Sequence, residues 1–169
     1  LSSNCFISSY TLTCSAGIGL AAIRDSVRNN LSGLSDKGWP DSNVETWLGM
    51  VDQDSLNRIE LTQKWLSRNN QLALLAMTQD NFLTAARDQV SRFGPQRVGV
   101  ILGTSTSSIG RTEEAYCHLS DTDEFTAEYI QPEINTPHST GAFIANHLGI
   151  TGPAITISTA CSSSAKAFA

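Results

Sequence analysis

The sequence predicts an α/β fold built on a mixed, largely parallel sheet, and three observations carry that reading. Short apolar runs alternate with helix-period segments in the order strand, helix, helix, strand, helix, strand, helix, as parallel strands joined by crossovers require. The run R-V-G-V-I-L-G at 97–103 has no polar face and reads as a strand buried on both sides. Gly94-Pro95 and Gly152-Pro153 stand where a helix ends and a strand follows.

Residues 5–9 alternate weakly and read as the first strand. The loop after them carries Gly17 and Gly19 and leads into a helix over 20–30, where Ala21, Ile23 and Val27 suit one face. Between 31 and 54, Gly33, Gly38, Pro40 and Gly49 mark an irregular excursion with a short strand near 46–51. The clearest helix spans 70–92, because Leu72, Leu75, Phe82, Ala86 and Val90 make one apolar stripe. After the strand at 97–103, residues 112–129 are polar and carry helical turns over a surface. The segment S-T-G-A-F-I-A-N-H-L at 139–148 is a helix whose small residues allow close packing. Gly149, Gly152 and Pro153 then turn the chain into a last strand at 154–159.

Composition narrows the function classes. The 169 residues carry 16 acidic and 11 basic side chains, a net charge of −5, which argues against nucleic acid as partner. No apolar run is long enough to span a membrane. The N-terminus lacks a basic region followed by an apolar core, so it does not read as a signal peptide. It also lacks an initiator Met, which suggests a processed or engineered start. Cys5, Cys14, Cys117 and Cys161 show no C-x-x-C pair and no neighbouring His suited to zinc, so no metal site is expected. Cys5 and Cys14 could bridge across a turn, but read as reduced, in a cytoplasmic protein.

Cys161 is the candidate nucleophile. It follows the β-branched run I-T-I-S-T and precedes three serines and a helix-forming tail. A thiol at a helix start meets unpartnered N–H donors and the positive end of the helix dipole, which favour the thiolate. The strand–turn–helix setting has the logic of a nucleophile elbow, although G-x-S-x-G is absent. The alternative reading, a small buried hydrophobe, stays open on these grounds alone.

The stretch T-A-C-S-S-S after I-T-I-S and a Gly-Pro turn resembles the nucleophile motif of the β-ketoacyl synthases, the condensing enzymes of fatty acid and polyketide synthesis. The resemblance covers the whole chain in the family's order. G-I-G at 17–19 resembles its first loop, Q-L-A-L-L-A at 71–76 the start of its long helix, and R-V-G-V-I-L-G-T-S its central strand and glycine loop. S-T-G-A-F-I-A-N-H-L-G-I-T-G-P resembles the helix and turn before its nucleophile strand. The resemblance implies a thiolase-like fold of layered αβαβα architecture, with residues 1–169 as its incomplete N-terminal half, cut inside the helix after the nucleophile. It implies acyl transfer from acyl carrier protein to Cys161, then decarboxylative condensation with malonyl-carrier protein. It also implies no cofactor and a homodimer or ketosynthase heterodimer. The family's catalytic histidine pair lies in the second half, so this chain alone is expected to be inactive. Alternatives are a non-catalytic partner subunit, which characteristically lacks the cysteine, and a thiolase-like enzyme that uses coenzyme A.

Other residues carry less. By the same resemblance Thr106 limits the depth of the acyl pocket. Lys64 and Arg68, taken as one helical turn apart, would help dock an acidic carrier protein, against a reading as solvated helix charges. His147 reads as a packing residue, His138 as a loop or helix-start residue, and His118 as part of the polar excursion. The loop G-T-S-T-S-S-I-G lacks the spacing of a nucleotide cradle. Glu113, Glu114 and the acidic run 121–124 read as solvated surface.

Overall fold

Among the described residues the first elements are a hairpin and a helix, and the first strand sits later than the alternation suggests. The computed structural model describes residues 6–36, 44–119 and 123–169. The chain divides into two compact units, one of Leu1–Ile59 with Leu75–Ala85, the other of Glu60–Leu74 with Ala86–Ala169. Of the strand expected at 5–9, Cys5 lies outside the described residues and 6–9 are irregular. Phe6 and Ile7 are exposed and join no strand ladder, so alternation there has no sheet to serve.

In the first unit β1 (Thr13–Cys14) pairs antiparallel with β2 (Gly17–Ile18), and α1 (Leu20–Arg28) follows at once. A second antiparallel pair, β3 (Leu34–Ser35) with β4 (Leu48–Gly49), places a two-residue strand inside the stretch expected at 46–51. Gly38 and Pro40 lie outside the described residues. The short helix α2 (Gln53–Asn57) is capped by Asp52, whose carboxylate accepts from the Ser55 N–H at 2.8 Å and the Ser55 hydroxyl at 2.7 Å. The Ser55 hydroxyl, then its N–H, hold the Asp52 carboxyl below its ordinary pKa.

The single helix expected over 70–92 is two, α3 (Arg68–Met77) and α4 (Phe82–Phe93). Between them Asp80 and Asn81 take φ of 54° and 58°. Short polar side chains tolerate this left-handed region better than other non-glycine residues. The break also frees Asp80 to act. Its carboxylate accepts from the first N–H of α1, at Leu20, at 3.0 and 3.2 Å, and from the Thr11 hydroxyl at 2.8 Å. The apolar stripe predicted helix correctly on both sides of a turn that it could not register.

The second unit holds the parallel strand pair that leads to Cys161. A 3₁₀ turn at Pro95–Arg97 starts the segment, so the strand expected from 97 begins as β5 (Val100–Gly103). It pairs in parallel with β6 (Ala154–Ile157), with Val100 opposite Ala154 and Gly103 opposite Ile157. The connection runs through α5 (Ile109–Cys117), a 3₁₀ turn at Ala127–Tyr129, and α6 (Ser139–Leu148). The helix expected at 139–148 has those bounds. It packs on both strands, and a Cβ on Gly141 would come 2.5 Å from the Thr156 hydroxyl. The predicted burial of this strand on both sides does not hold: Ile101 and its register partner Ile155 are 57% and 51% exposed. Among the described residues α6 and, further along the chain, the helix at Ser163–Lys166 pack on this pair and leave Ile101 and Ile155 uncovered, so its apolarity outruns the cover.

Candidate active site

Cys161 sits where β6 gives way to helix, but the helix begins later than expected. Ala160–Ser162 form a 3₁₀ turn, and α7 (Ser163–Lys166) starts two residues beyond the cysteine. Ala160 has φ +53°, a left-handed conformation that costs an alanine roughly 1–2 kcal/mol. The strained residue immediately before Cys161 turns the chain from strand to helix, a turn of the same kind as a nucleophile elbow although the strain falls on its neighbour. Cys161 is exposed, with no disulfide partner. As a first-turn amide its N–H has no carbonyl within the turn to donate to.

Two of the following serines hold this turn. The Ser163 hydroxyl is buried, accepts from the Thr159 N–H at 2.8 Å and donates to the Ala160 carbonyl at 2.7 Å. Ser162 donates to the Thr159 carbonyl at 2.9 Å and lies 3.0 Å from the Thr159 hydroxyl. From the strand side, Ser158 donates to the Ser105 carbonyl at 3.4 Å, which ties the elbow to the loop after β5. Gly103 at the end of β5 makes room for α7. A Cβ there would lie 2.6 Å from the Ser163 carbonyl oxygen and 2.7 Å from Ser164 Cα.

That loop carries Thr106, which lines a pocket of about 170 Å³ with Ser108, Ile109, Thr112, Ile134 and the 135–137 turn. Asn135 donates to the Thr112 hydroxyl at 3.2 Å across its wall. Buried behind Ser108 is a cluster that sequence reasoning missed, made by Ser67, Asn70, Ser108 and Ser139. Its only trace in the sequence is a serine at the start of each of three helices, a capping signal with no periodicity to draw attention to it.

The basic pair is placed differently from its prediction. Lys64 lies in a 3₁₀ turn, Gln63–Trp65, and Arg68 is the first residue of α3, with Leu66 extended between them. The Ser67 hydroxyl accepts from the Asn70 N–H at 3.3 Å, which starts the helix at 68 and leaves Lys64 outside it. The two residues therefore share no helix face. Lys64 is also paired, 3.2 Å from Glu133, and sits 5.3 Å from its neighbour Trp65's ring centre. The Glu133 carboxyl is held below its ordinary pKa by its own backbone N–H first and by Lys64 second.

The histidines have structural surroundings. His147 packs against Phe143 with ring centres 5.7 Å apart, and burial, then Arg87, lowers its pKa below 6.5. His138 precedes α6 at its cap position, and His118 stacks on Tyr129 at 5.3 Å. Among the acidic residues, Glu114 pairs with Arg111 at the surface; Asp121 lies outside the described residues. Among the described residues, no cluster of three or more His, Cys, Asp or Glu is arranged to hold a metal. No described helix is long and apolar enough to cross a membrane.

The parallel pair, its covering helices and the elbow define a thiolase-like α/β fold. The beta-ketoacyl synthase N-terminal domain family matches residues 38–169, and the chain belongs to that family. Among solved structures, a chain from the complex of the ketosynthase ApeO with its chain length factor ApeC, from Xenorhabdus doucetiae, is 27% identical with a TM-score of 0.73. The match covers 96% of this chain and 41% of that one, so this chain spans less than half the length of that relative. No curated protein matches the chain.

Proposed function

We propose that this chain is the nucleophile-bearing N-terminal part of a 3-oxoacyl-[acyl-carrier-protein] synthase. The observation that supports this best is the exposed Cys161 on a strained, serine-braced turn at the end of a parallel strand. In the proposed reaction the Cys161 thiolate attacks the carbonyl carbon of an acyl thioester on acyl carrier protein. A C–S bond to Cys161 forms and the carrier's C–S bond breaks, with the electron pair leaving on the carrier thiolate. Malonyl-carrier protein then loses carbon dioxide, and the electron pair of the broken C–C bond forms the new bond to the acyl carbon. Cys161 leaves as thiolate. The Cys161 N–H supplies half of an oxyanion hole for both carbonyl additions.

Thr106 borders the acyl pocket in this reading. By the family's pattern, decarboxylation draws on histidines in the second half, so residues 1–169 alone do not condense, and the enzyme works in the cytoplasm without a cofactor. A second ketosynthase-type subunit, identical or a partner, completes the assembly; the ApeO–ApeC complex is a relative with such a partner. Lys64 and Arg68 contribute to carrier docking as separate contacts, Lys64 only after parting from Glu133. Reversing both charges then raises KM for carrier-bound substrate and leaves small thioesters unaffected; equal effects on both would reject the docking role.

The central test uses the full-length protein that carries this chain. Incubated with acyl-carrier protein, it gains an acyl mass on the peptide containing Cys161, and Cys161→Ala abolishes both adduct and condensation. Condensation that survives Cys161→Ala would refute the assignment.

A further inference from the structure

The wall of the Thr106 pocket is held by residues that do not line it. Ser107 is 1% exposed with φ +48°, and the adjacent Ser108 lines the pocket and stands at the N-cap position of α5, its hydroxyl turned to other partners. A non-glycine residue in this conformation persists only where its surroundings fix it. Here the Ser107 N–H donates to the Thr104 hydroxyl at 3.0 Å, and the Ser108 hydroxyl lies 2.9 Å from Ser67 Oγ and 3.2 Å from Ser139 Oγ. Asn70, fully buried, donates through Nδ2 to Ser139 Oγ at 3.3 Å and to the Trp65 carbonyl at 3.0 Å. Its N–H meets Ser67 Oγ at 3.3 Å. Ser67, Ser108 and Ser139 are each at most 4% exposed.

Each serine stands at a different helix start: Ser67 before α3, Ser108 before α5, Ser139 first in α6. Three helix ends are thus tied to one hydroxyl on the pocket wall. In a buried network none can shift alone, because any displaced member leaves another without its hydrogen bond.

We propose that Ser67, Asn70 and Ser139 are positioning residues that set the shape of the Thr106 pocket, and with it acyl-chain length selectivity, without touching the acyl group. The inference rests on the reading of Cys161 and the Thr106 pocket given above. It separates from a purely structural role through selectivity: lost stability alone lowers the amount of folded enzyme equally for every chain length.

The test measures acyl loading of Cys161 in the full-length protein, across thioesters of increasing chain length, for Ser139→Ala and Ser67→Ala separately. In each variant the ratio of kcat/KM for the longest accepted chain to that for acetyl changes by about fivefold or more, the effect of one lost buried hydrogen bond. Acetyl loading stays within about twofold of wild type. Leu56→Ala, a fully buried residue of the first unit, serves as the destabilised control and leaves the ratio unchanged. Either serine variant suffices if the other fails to fold. Unchanged ratios in the serine variants, with a shifted ratio in Thr106→Trp, would overturn the positioning role and leave the pocket reading intact. Unchanged ratios in Thr106→Trp as well would overturn the pocket reading and this inference with it.

Discussion

Of the turns that enter the left-handed region without glycine, those at Asp80–Asn81 and at Ala160 are held there by different means. At Asp80 and Asn81 the residues themselves tolerate the conformation, and the Asp80 side chain uses it to cap α1. At Ala160 the side chain contributes nothing, and the turn depends on Ser162 and Ser163 bonding back to Thr159 and Ala160. The first turn is chosen by its own residues and serves the fold. The second is imposed from outside and presents a cysteine. Backbone strain that its own residues do not favour is the observation behind the function proposed for the second.

That contrast can be broken by mutation. The largest effect is expected at Gly103. Gly103→Ala puts a Cβ against the Ser163 carbonyl and forces α7 off β5, and a misplacement near 1 Å slows acylation of Cys161 on the order of 10²-fold. Acyl-adduct kinetics by mass spectrometry check this, and wild-type rates would show that the elbow does not depend on that close approach. Next comes Ser163→Ala, which leaves the Thr159 N–H without its partner, while the Ala160 carbonyl keeps the backbone N–H of residue 163, and costs about 1–3 kcal/mol. Denaturant unfolding should show that loss, together with slower acylation. The smallest effect is expected at the other turn: Asp80→Ala removes a cap worth about 1 kcal/mol and leaves acylation unchanged. An acylation defect in Asp80→Ala as large as that in Ser163→Ala would erase the distinction between the two turns.

The contrast also explains what could be read from sequence. Helix α6 was legible to its ends, because small residues, an apolar face and a Gly-Pro turn all agree there. The β5–β6 pair was legible because short apolar and β-branched runs follow Gly-Pro turns there, although the burial those runs suggest is not met at Ile101 and Ile155. The α3–α4 break was not, since the apolar stripe keeps its helical spacing across 78–81 and the interrupting φ values leave no mark in it. The strand at 5–9 failed for the opposite reason: alternation was present, but among the described residues 6–9 pair with no strand. At the site, the strand–turn–helix placement of Cys161 is local order along the chain, whereas the roles expected of Cys161 and Thr106 rested on the resemblance to the β-ketoacyl synthases. The strain at Ala160 and its bracing by Ser163 are local, but hydroxyl-to-backbone bonds leave no periodicity to read, and the Ser67–Asn70–Ser108–Ser139 cluster depends on contacts between distant segments. The Lys64–Arg68 spacing misled because a cap at Ser67 moved the helix start past Lys64.

The claim that this elbow exists to present a nucleophile is tested most directly by thiol reactivity. The full-length protein is treated with limiting iodoacetamide and the adduct mapped by mass spectrometry. Cys117 is the informative competitor, being exposed like Cys161 but at the end of α5 and not in a strained turn. Labelling concentrated on Cys161 is the predicted result. Preferential labelling of Cys117, Cys14 or Cys5 would contradict it.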